Sequence, residues 1–362
     1  MIKHYHDAMT LCRKYGPPDL FITFTCNPKW PEIIRVLRNR HGDKPEDRPD
    51  IVARVFKMKH DDLISYVKSG KPFGKVIADV ATIEFQKRGL PHSHMLFWLA
   101  ENHKCYSAAD VDSIICAEIP DKEAEPILYD VVNQFMIHGP CGVLNPKAPC
   151  IRENKCKKSF PRDYKEDTLF EANAFPVYRR RDDGSKFVMK IDVKVDNAFV
   201  VPYNAELLLR YNAHINIESC SQSMLIKYLF KYISKGPDRA RVGFQSNFTD
   251  EIAMYLNCRY ISPPEAAWRL FEYPIHSRHP PVELLKIHLP GQQTIAFGQN
   301  QPLTSVIARQ GSEDTMLIAW FHANANNSTK TIANKLTYAE FPSAFVWNND
   351  KKFGLYVNGA LH

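Results

Sequence analysis

The sequence has no run of about 18 consecutive apolar residues, which is the length a transmembrane helix needs. Its first residues, Met-Ile-Lys-His-Tyr-His-Asp, lack the apolar core of a secretory signal peptide. A phosphate loop of the form G-x-x-x-x-G-K-[ST] is also missing, and so are internal repeats and long low-complexity tracts. We therefore expect no membrane span and no ATP hydrolysis by way of such a loop.

The chain also has little excess of one charge sign. It contains 47 Lys and Arg against 40 Asp and Glu, which gives a formal net charge of +7 in 362 residues. This mild basic excess permits nucleic-acid binding without demonstrating it. The nine cysteines are an odd number in a long chain without a secretion signal. Reduced thiols are therefore expected, some of them available to a metal.

The hydrophobic pattern predicts alternating strands and helices rather than one kind of element. Strands are predicted at Leu20–Cys26, Lys75–Phe85, His92–Leu99 and His214–Glu218, and helices at Ile51–Lys68, Ser221–Lys235, Ala266–Phe271 and Thr315–His322. The short turn Gln86–Pro91 joins the second strand to the third. These two strands are therefore expected to pair as an antiparallel hairpin.

Two histidines on the predicted hairpin are candidate metal ligands. His92 and His94 are two residues apart, a spacing that places both rings on one face of a strand. Glu84, on the other strand, would add the hard oxygen that Mg²⁺ or Mn²⁺ prefers, and Gln86 is its rival for that position. The alternative is two polar side chains on a solvated strand face, with Glu84 pairing with Arg88 or a lysine.

The predicted helix at Ser221–Lys235 carries candidate nucleophiles. At about 100° per residue, Tyr228 and Tyr232 lie about 40° apart, beside Lys231 and Lys235 and away from the apolar stripe. A nearby cation stabilises a phenolate, which has an ordinary pKa of about 10. The alternative is a helix whose tyrosines cover the edge of the core and whose lysines face water.

A cluster of soft and borderline ligands lies in the middle of the chain. His138, Cys141, Cys150 and Cys156 fall within 19 residues, among glycines and prolines that suit tight loops. One imidazole and three thiolates are a ligand set for tetrahedral structural zinc. The spacing lacks a C-x₂-C pair, so free thiols in a loop are the alternative. Neighbouring lysines and arginines would place such a loop near phosphates.

Five ordered segments resemble the nuclease of Helitron transposases, a group related to the nucleases that initiate rolling-circle replication. They are PDLFITFTCNPKWPEI, IEFQKRGLPHSHMLFWL, the HGPCG…APC…C…FPR segment, SMLIKYLFKYISKG and EAAWRLFEYPIHSRHPPVELLKIHLP. The resemblance covers nearly the whole chain. The wider family has a hydrophobic residue between the two histidines, where this chain has Ser93. Because Ser93 would point away from the metal face, we expect little effect.

The resemblance implies an α+β fold, with a central antiparallel sheet flanked by helices and the metal-binding strands in its middle. It implies an endonuclease domain at 1–240 containing a Cys/Pro-rich patch at 138–162, and an irregular C-terminal extension at 241–362. His92 and His94 would bind Mg²⁺ or Mn²⁺, and Tyr228 and Tyr232 would be paired nucleophiles.

Several further expectations come from the same resemblance. The substrate would be single-stranded DNA at transposon ends, and the location would be the nucleus. A helicase would come from the rest of a transposase or in trans, because full family members carry one and this chain has no phosphate loop. The chain is accordingly expected to be a fragment, a separate gene product or a relic.

Two other functions fit the same sequence. One is a domesticated or decayed transposase that binds DNA without turnover. The missing helicase argues for this function. The other is a metal phosphodiesterase that uses water, with structural tyrosines. Covalent attachment of DNA to the protein distinguishes the nuclease with a tyrosine nucleophile from both.

Overall fold

The structure is a computed structural model. It describes residues 2–38, 43–85, 89–170, 175–182, 184, 186–190, 192–220, 261–292, 302, 304, 315–326, 329–348 and 353–356. The described helices are α1 (Ile2–Tyr15), α2 (Pro31–Arg38), α3 (Pro49–Lys68), α4 (Ala108–Ile114), α5 (Pro126–Phe135), α6 (Ala205–Tyr211), α7 (Pro263–Leu270), α8 (Met316–Ala325) and α9 (Lys330–Ala333).

The described strands are β1 (Leu20–Thr25), β2 (Val76–Phe85), β3 (Pro91–Leu99), β4 (Ile151–Arg152), β5 (Lys155–Cys156), β6 (Val188–Lys190), β7 (Val193–Val195), β8 (Ile215–Ser219), β9 (His276–His279), β10 (Phe345–Asn348) and β11 (Phe353–Tyr356). Five of them form the main sheet, in the order β8-β1-β3-β2-β9. Every neighbouring pair in it is antiparallel. The expected α+β fold with a central antiparallel sheet is confirmed.

One face of the sheet packs on the main hydrophobic core. Phe24, Ile83 and Met95 point into it, where they are buried with Phe56 of α3 and Trp268 of α7. Phe24 and Ile83 are both in register with Ser93, and Met95 lies two residues beyond Ser93 on the same strand. The three side chains therefore share one face of the sheet, as the alternation of a pleated strand requires. Burial of such aromatic and branched side chains is the main term that stabilises the sheet. Phe24 therefore anchors β1 on this core.

The opposite face carries polar side chains although it is also covered. All nine residues of β3 are buried, which makes it the central strand in packing as well as in order. Helix α1 contacts this face at its β9 edge. His4 stacks on His276 with ring centroids 4.1 Å apart, and Asp7 forms an ion pair with Arg278 at 3.0 Å. The ion pair sets an opposite charge beside the buried carboxylate of Asp7, which offsets part of its desolvation cost.

The region between β3 and β8 builds a second core. Val132, Met136, Phe199 and Tyr203 are buried together in it. Arg180, also buried, donates hydrogen bonds from Nη1 to the carbonyl oxygens of three residues: Ala117, Asn197 and Val200. A buried guanidinium that satisfies several carbonyl groups ties distant loops together without regular secondary structure.

The chain divides into two compact units, Met1–Pro280 and Pro281–His362. The predicted boundary at 240/241 lies within residues 221–260, outside the described residues, so the predicted division stays a prediction. Strand β9 lies in the predicted C-terminal extension and yet supplies an edge of the main sheet. In the described part of the chain, no helix has both the length and the hydrophobicity to cross a membrane.

Candidate metal centre and the Cys cluster

The histidine pair, His92 and His94, lies on the central strand β3 and projects from its polar face. The two ring centroids are 4.5 Å apart, and both side chains are buried. Ser93 between them faces the other way, where its hydroxyl is 3.0 Å from Nε2 of His60 on α3. The expectation that Ser93 points away from the pair agrees with this contact. The i, i+2 spacing therefore places both rings on one face of the strand, as its pleat requires.

Two threonines of β1 orient the pair. Thr25 is in register with His92, and its Oγ1 is 2.7 Å from His92 Nδ1. Thr23 is in register with His94, and its Oγ1 is 3.3 Å from His94 Nδ1. When each ring carries its proton on Nδ1, it donates to the threonine and turns the Nε2 lone pair toward a ligand site. No motif in the sequence singled out these threonines, although they repeat the i, i+2 spacing of the histidines.

Glu84 adds a carboxylate on the same face. It is in register with His92, and its Oε2 lies 3.3 Å from Nε2 of His94. Two ligands bound about 2.1 Å from one ion are about 3.0–3.4 Å apart, so this pair has the right separation to share a cation. Two imidazoles and a carboxylate are a donor set for Mn²⁺, Mg²⁺ or Zn²⁺. The rival, Gln86, lies outside the described residues.

The electrostatics of His92 favour its neutral, metal-binding form. Burial lowers its pKa well below the ordinary value, and the nearby rings of His94 and His214 and the charge of Lys158 act in the same direction. Glu84 opposes the shift. Because metal binding needs the unprotonated imidazole, the surroundings keep this nitrogen available at neutral pH.

A third histidine beside the pair was not recognised as a site residue in the sequence. His214 stands just before β8, and its backbone oxygen accepts from the N–H of Thr25 at 3.0 Å. Its Nδ1 donates to the carbonyl oxygen of Phe135 at 2.8 Å. Its place in the sequence could have revealed it, since His214 directly precedes a strand that pairs with the strand carrying Thr25.

The Cys cluster consists of His138, Cys141, Cys150 and Cys156, as the sequence spacing predicted. Their ligand atoms all lie within 4.8 Å of one another. His138 Nε2 and Cys156 Sγ are 3.3 Å apart. Ligand atoms of tetrahedral zinc are about 3.4–3.8 Å apart, so this group can hold such a metal. Among the described residues, no other group of three or more such side chains meets this mutual distance.

A tight hairpin brings two of the cluster's thiols together. Strands β4 and β5 pair Ile151 with Cys156, and the turn between them places Glu153 and Asn154 at φ of 50° and 60°. Two successive residues with positive φ are typical of a type I′ turn, which matches the twist of paired strands. Cys150 therefore lies beside Cys156 because the turn returns the chain after only two residues.

The thiols of the cluster are electrostatically suited to a cation. Burial and the neighbouring thiols of Cys156 and Cys150 raise the pKa of Cys141 to about 12. Burial also raises the pKa of Cys156, but backbone N–H groups of Phe160 and Lys158 outweigh it, so the net pKa lies below the ordinary value. Crowded thiolates repel one another, and a bound divalent cation removes that repulsion.

Purified protein is expected to contain about one zinc per chain, because the cluster offers the four ligands of a structural zinc site. The double substitution Cys150→Ser, Cys156→Ser should remove it, whereas Cys105→Ser, outside the cluster, should leave it bound. Elemental analysis of the three proteins measures this directly. Equal zinc contents in the wild type and the double variant would rule out the cluster as the binding site.

The predicted nucleophiles belong to a part of the chain that the structure does not describe. Tyr228, Lys231, Tyr232 and Lys235 all lie outside the described residues. Their roles as nucleophiles and neighbouring cations stay predictions from the sequence.

Comparison with protein families adds an independent observation on the part of the chain that holds the histidine pair. Residues 1–97 match the family described as the Helitron helicase-like domain at the N-terminus. The N-terminal part of this chain is thus related to the Helitron helicase-like domain. The matched segment includes β1, β2 and the greater part of β3, and with them Glu84, His92 and His94. This relation supports a protein associated with transposable elements. Comparison with curated proteins found no match.

Proposed function

We propose that this chain is a metal-dependent endonuclease and strand transferase of a Helitron-type transposon, acting on single-stranded DNA through a tyrosine nucleophile. The observation that carries the proposal is the buried histidine pair on the central strand, with a carboxylate beside it, within the Helitron-related segment. Paired strands hold such donors rigidly, which a site for phosphate chemistry requires.

His92, His94 and Glu84 are the residues proposed to hold Mg²⁺ or Mn²⁺. When bound there, the ion neutralises charge on the phosphate oxygens and so lowers the barrier to attack. Thr25 and Thr23 set the ring orientation through Nδ1, as contacts behind metal-binding histidines commonly do. Burial of both rings excludes water, which strengthens each electrostatic contact in the site.

The covalent step is assigned to Tyr228 or Tyr232. The phenol oxygen loses its proton and attacks the phosphorus, and the bond from phosphorus to the 3′-oxygen breaks. The 3′-oxygen leaves and takes up a proton, while the 5′-phosphate stays bonded to tyrosine. Lys231 and Lys235, each three residues after a tyrosine in the predicted helix, would stabilise the phenolate. Reversal by another 3′-hydroxyl rejoins DNA without ATP.

The proposed partners follow from this chemistry. Single-stranded DNA at transposon ends is the substrate, and a helicase in the rest of a transposase or in trans would expose it. Basic side chains around the Cys cluster, such as Lys155, Lys157 and Arg162, are exposed and suit contacts with phosphates. The proposed location is the nucleus.

The proposal is tested by incubating the wild-type protein with end-labelled single-stranded oligonucleotides and Mn²⁺. Nicking that stops with EDTA, and that leaves the downstream fragment attached to protein in a denaturing gel, is the expected result. DNA binding without any cleavage under these conditions would favour a binding protein that lacks turnover. Cleavage without an adduct would favour hydrolysis by water.

A further inference from the structure

A tight turn beside the Cys cluster exposes two neighbouring aliphatic side chains, Val143 and Leu144, which together form the apolar tip. Val143 is 98% exposed and Leu144 is 45% exposed. They occupy the central positions of a turn in which the N–H of Asn145 donates to the carbonyl oxygen of Gly142 at 3.2 Å. Such positions usually hold glycine, proline, asparagine, aspartate or serine. The apolar tip is therefore hydrophobic surface that a partner can cover.

The protein holds both ends of this loop although its tip reaches into solvent. Cys141 before it and Ala148 after it are both buried in the second core. The thiol of Cys141 also donates to the carbonyl oxygen of Phe160 at 3.8 Å. Gly142 has a φ of 68°, in the left-handed region that glycine adopts readily, so the chain leaves the core directly after Cys141. The short loop 142–147 between two buried anchors presents its tip in a defined position.

The surface around the apolar tip is basic. Residues 138–162 contain six Lys and Arg and one Glu. All six basic side chains are exposed: Lys147, Arg152, Lys155, Lys157, Lys158 and Arg162. The Cys cluster brings the segments that carry them together, because its ligand atoms lie within 4.8 Å of one another. An apolar tip surrounded by cations is complementary to a nucleic acid, in which apolar base faces lie beside a charged backbone.

We propose that Val143 and Leu144 act as a wedge that inserts between the bases of DNA where a duplex opens into single strands, while the surrounding lysines and arginines bind the phosphates beside it. Apolar wedges of this kind unstack a base step, and contacts of the protein with the adjoining backbone offset the cost of unstacking. The inference rests on the proposed function and deepens it, because a nuclease for single-stranded DNA at transposon ends needs the duplex to be open there.

The test places 2-aminopurine in the last base pair of a junction between duplex and single-stranded DNA, since unstacking of this base raises its fluorescence. Mg²⁺, Mn²⁺ and chelators are left out, so that no strand is cut and a metal in the Cys cluster is kept. We expect the wild type to raise the fluorescence. At one fixed salt concentration it should bind the junction about 10-fold more tightly than single-stranded DNA of the same sequence.

The double substitution Val143→Ser, Leu144→Ser removes the wedge and suits the turn, because serine is common in β-turns. It should abolish the fluorescence rise and bind the two DNAs within about 3-fold of each other, since the phosphate contacts remain. The matched control is Ile127→Ser, Leu270→Ser, whose side chains on α5 and α7 are 71% and 81% exposed. This protein should keep both the rise and the preference for the junction.

A fluorescence rise that is equal in the wild type and the Val143→Ser, Leu144→Ser protein would overturn the wedge. Tight DNA binding by the wild type without any rise would also overturn it, and would assign the apolar tip to a protein partner. Failure of the nuclease looks different. A wild type that unstacks the junction through the apolar tip but never nicks DNA with Mn²⁺ contradicts the proposed catalysis and supports the wedge, whereas one that nicks without unstacking contradicts the wedge alone.

Discussion

Replacing both His92 and His94 by alanine should reduce nicking of single-stranded DNA to background. The expected loss exceeds about 1,000-fold, since metal-ion stabilisation of a phosphate transition state contributes several kcal/mol. Affinity for single-stranded DNA should stay within about 3-fold, because it comes mainly from lysine, arginine and aromatic contacts elsewhere. The measurement is the single-turnover rate with Mn²⁺, together with DNA binding by the same proteins.

A control on the same strand separates lost chemistry from damage to the sheet. Ser93 lies between the two histidines and faces the opposite side, where it contacts His60. Ser93→Ala should lower the melting temperature, because it removes a buried partner of His60, yet nick DNA at close to the wild-type rate. Full activity in the double histidine variant would remove the metal hypothesis. Equal inactivity of Ser93→Ala would point to the fold instead.

Replacing both Tyr228 and Tyr232 by phenylalanine should eliminate the covalent protein–DNA adduct. The substitution removes only the phenol oxygen and keeps the aromatic ring. With a 3′-labelled oligonucleotide, the downstream fragment should migrate with the wild-type protein in a denaturing gel. With a 5′-label, the upstream fragment should be released with a free 3′-hydroxyl. Either single variant should weaken or redirect the reaction, because one tyrosine can hold an end while the other cuts.

An exposed tyrosine outside the site provides the matched control. Tyr106 is 66% exposed and follows the loop after β3. Tyr106→Phe should form the adduct as the wild type does. Cleavage that persists in the double tyrosine variant, with no adduct in any protein, would establish hydrolysis by water and leave the tyrosines a structural role.

The central hairpin could be predicted from the sequence because its signals are local. Apolar and β-branched runs at Lys75–Phe85 and His92–Leu99, with a short turn between them, predict both strands and their pairing, and the structure has them at Val76–Phe85 and Pro91–Leu99. Helix α3 was predicted two residues short, at Ile51 rather than Pro49, because proline at the first helical position was not counted. The Cys cluster could be predicted as a ligand set because its members lie within 19 residues.

Other features depend on contacts between distant residues and could not be predicted in the same way. The strand β9, with the sequence HSRH, has neither the alternation nor the composition typical of a strand. It forms because β2 offers an open edge and Asp7 of α1 pairs with Arg278. The orienting role of Thr25 likewise needs the register between β1 and β3, which no local pattern specifies.

Through its resemblance to the Helitron nuclease, the sequence implied the class of the fold. By itself it determined the face that His92 and His94 share and the four members of the Cys cluster. Both depend on residues close together in the chain, whose spacing passes directly into geometry through the pleat of a strand or the reach of a short loop. Only the tertiary structure placed Thr25 and His214 near that pair and set Glu84 in register with His92. The reason is physical: strand register and the contact of His214 with the last residue of α5 arise from long-range burial, and burial brings together polar groups that lie far apart in sequence.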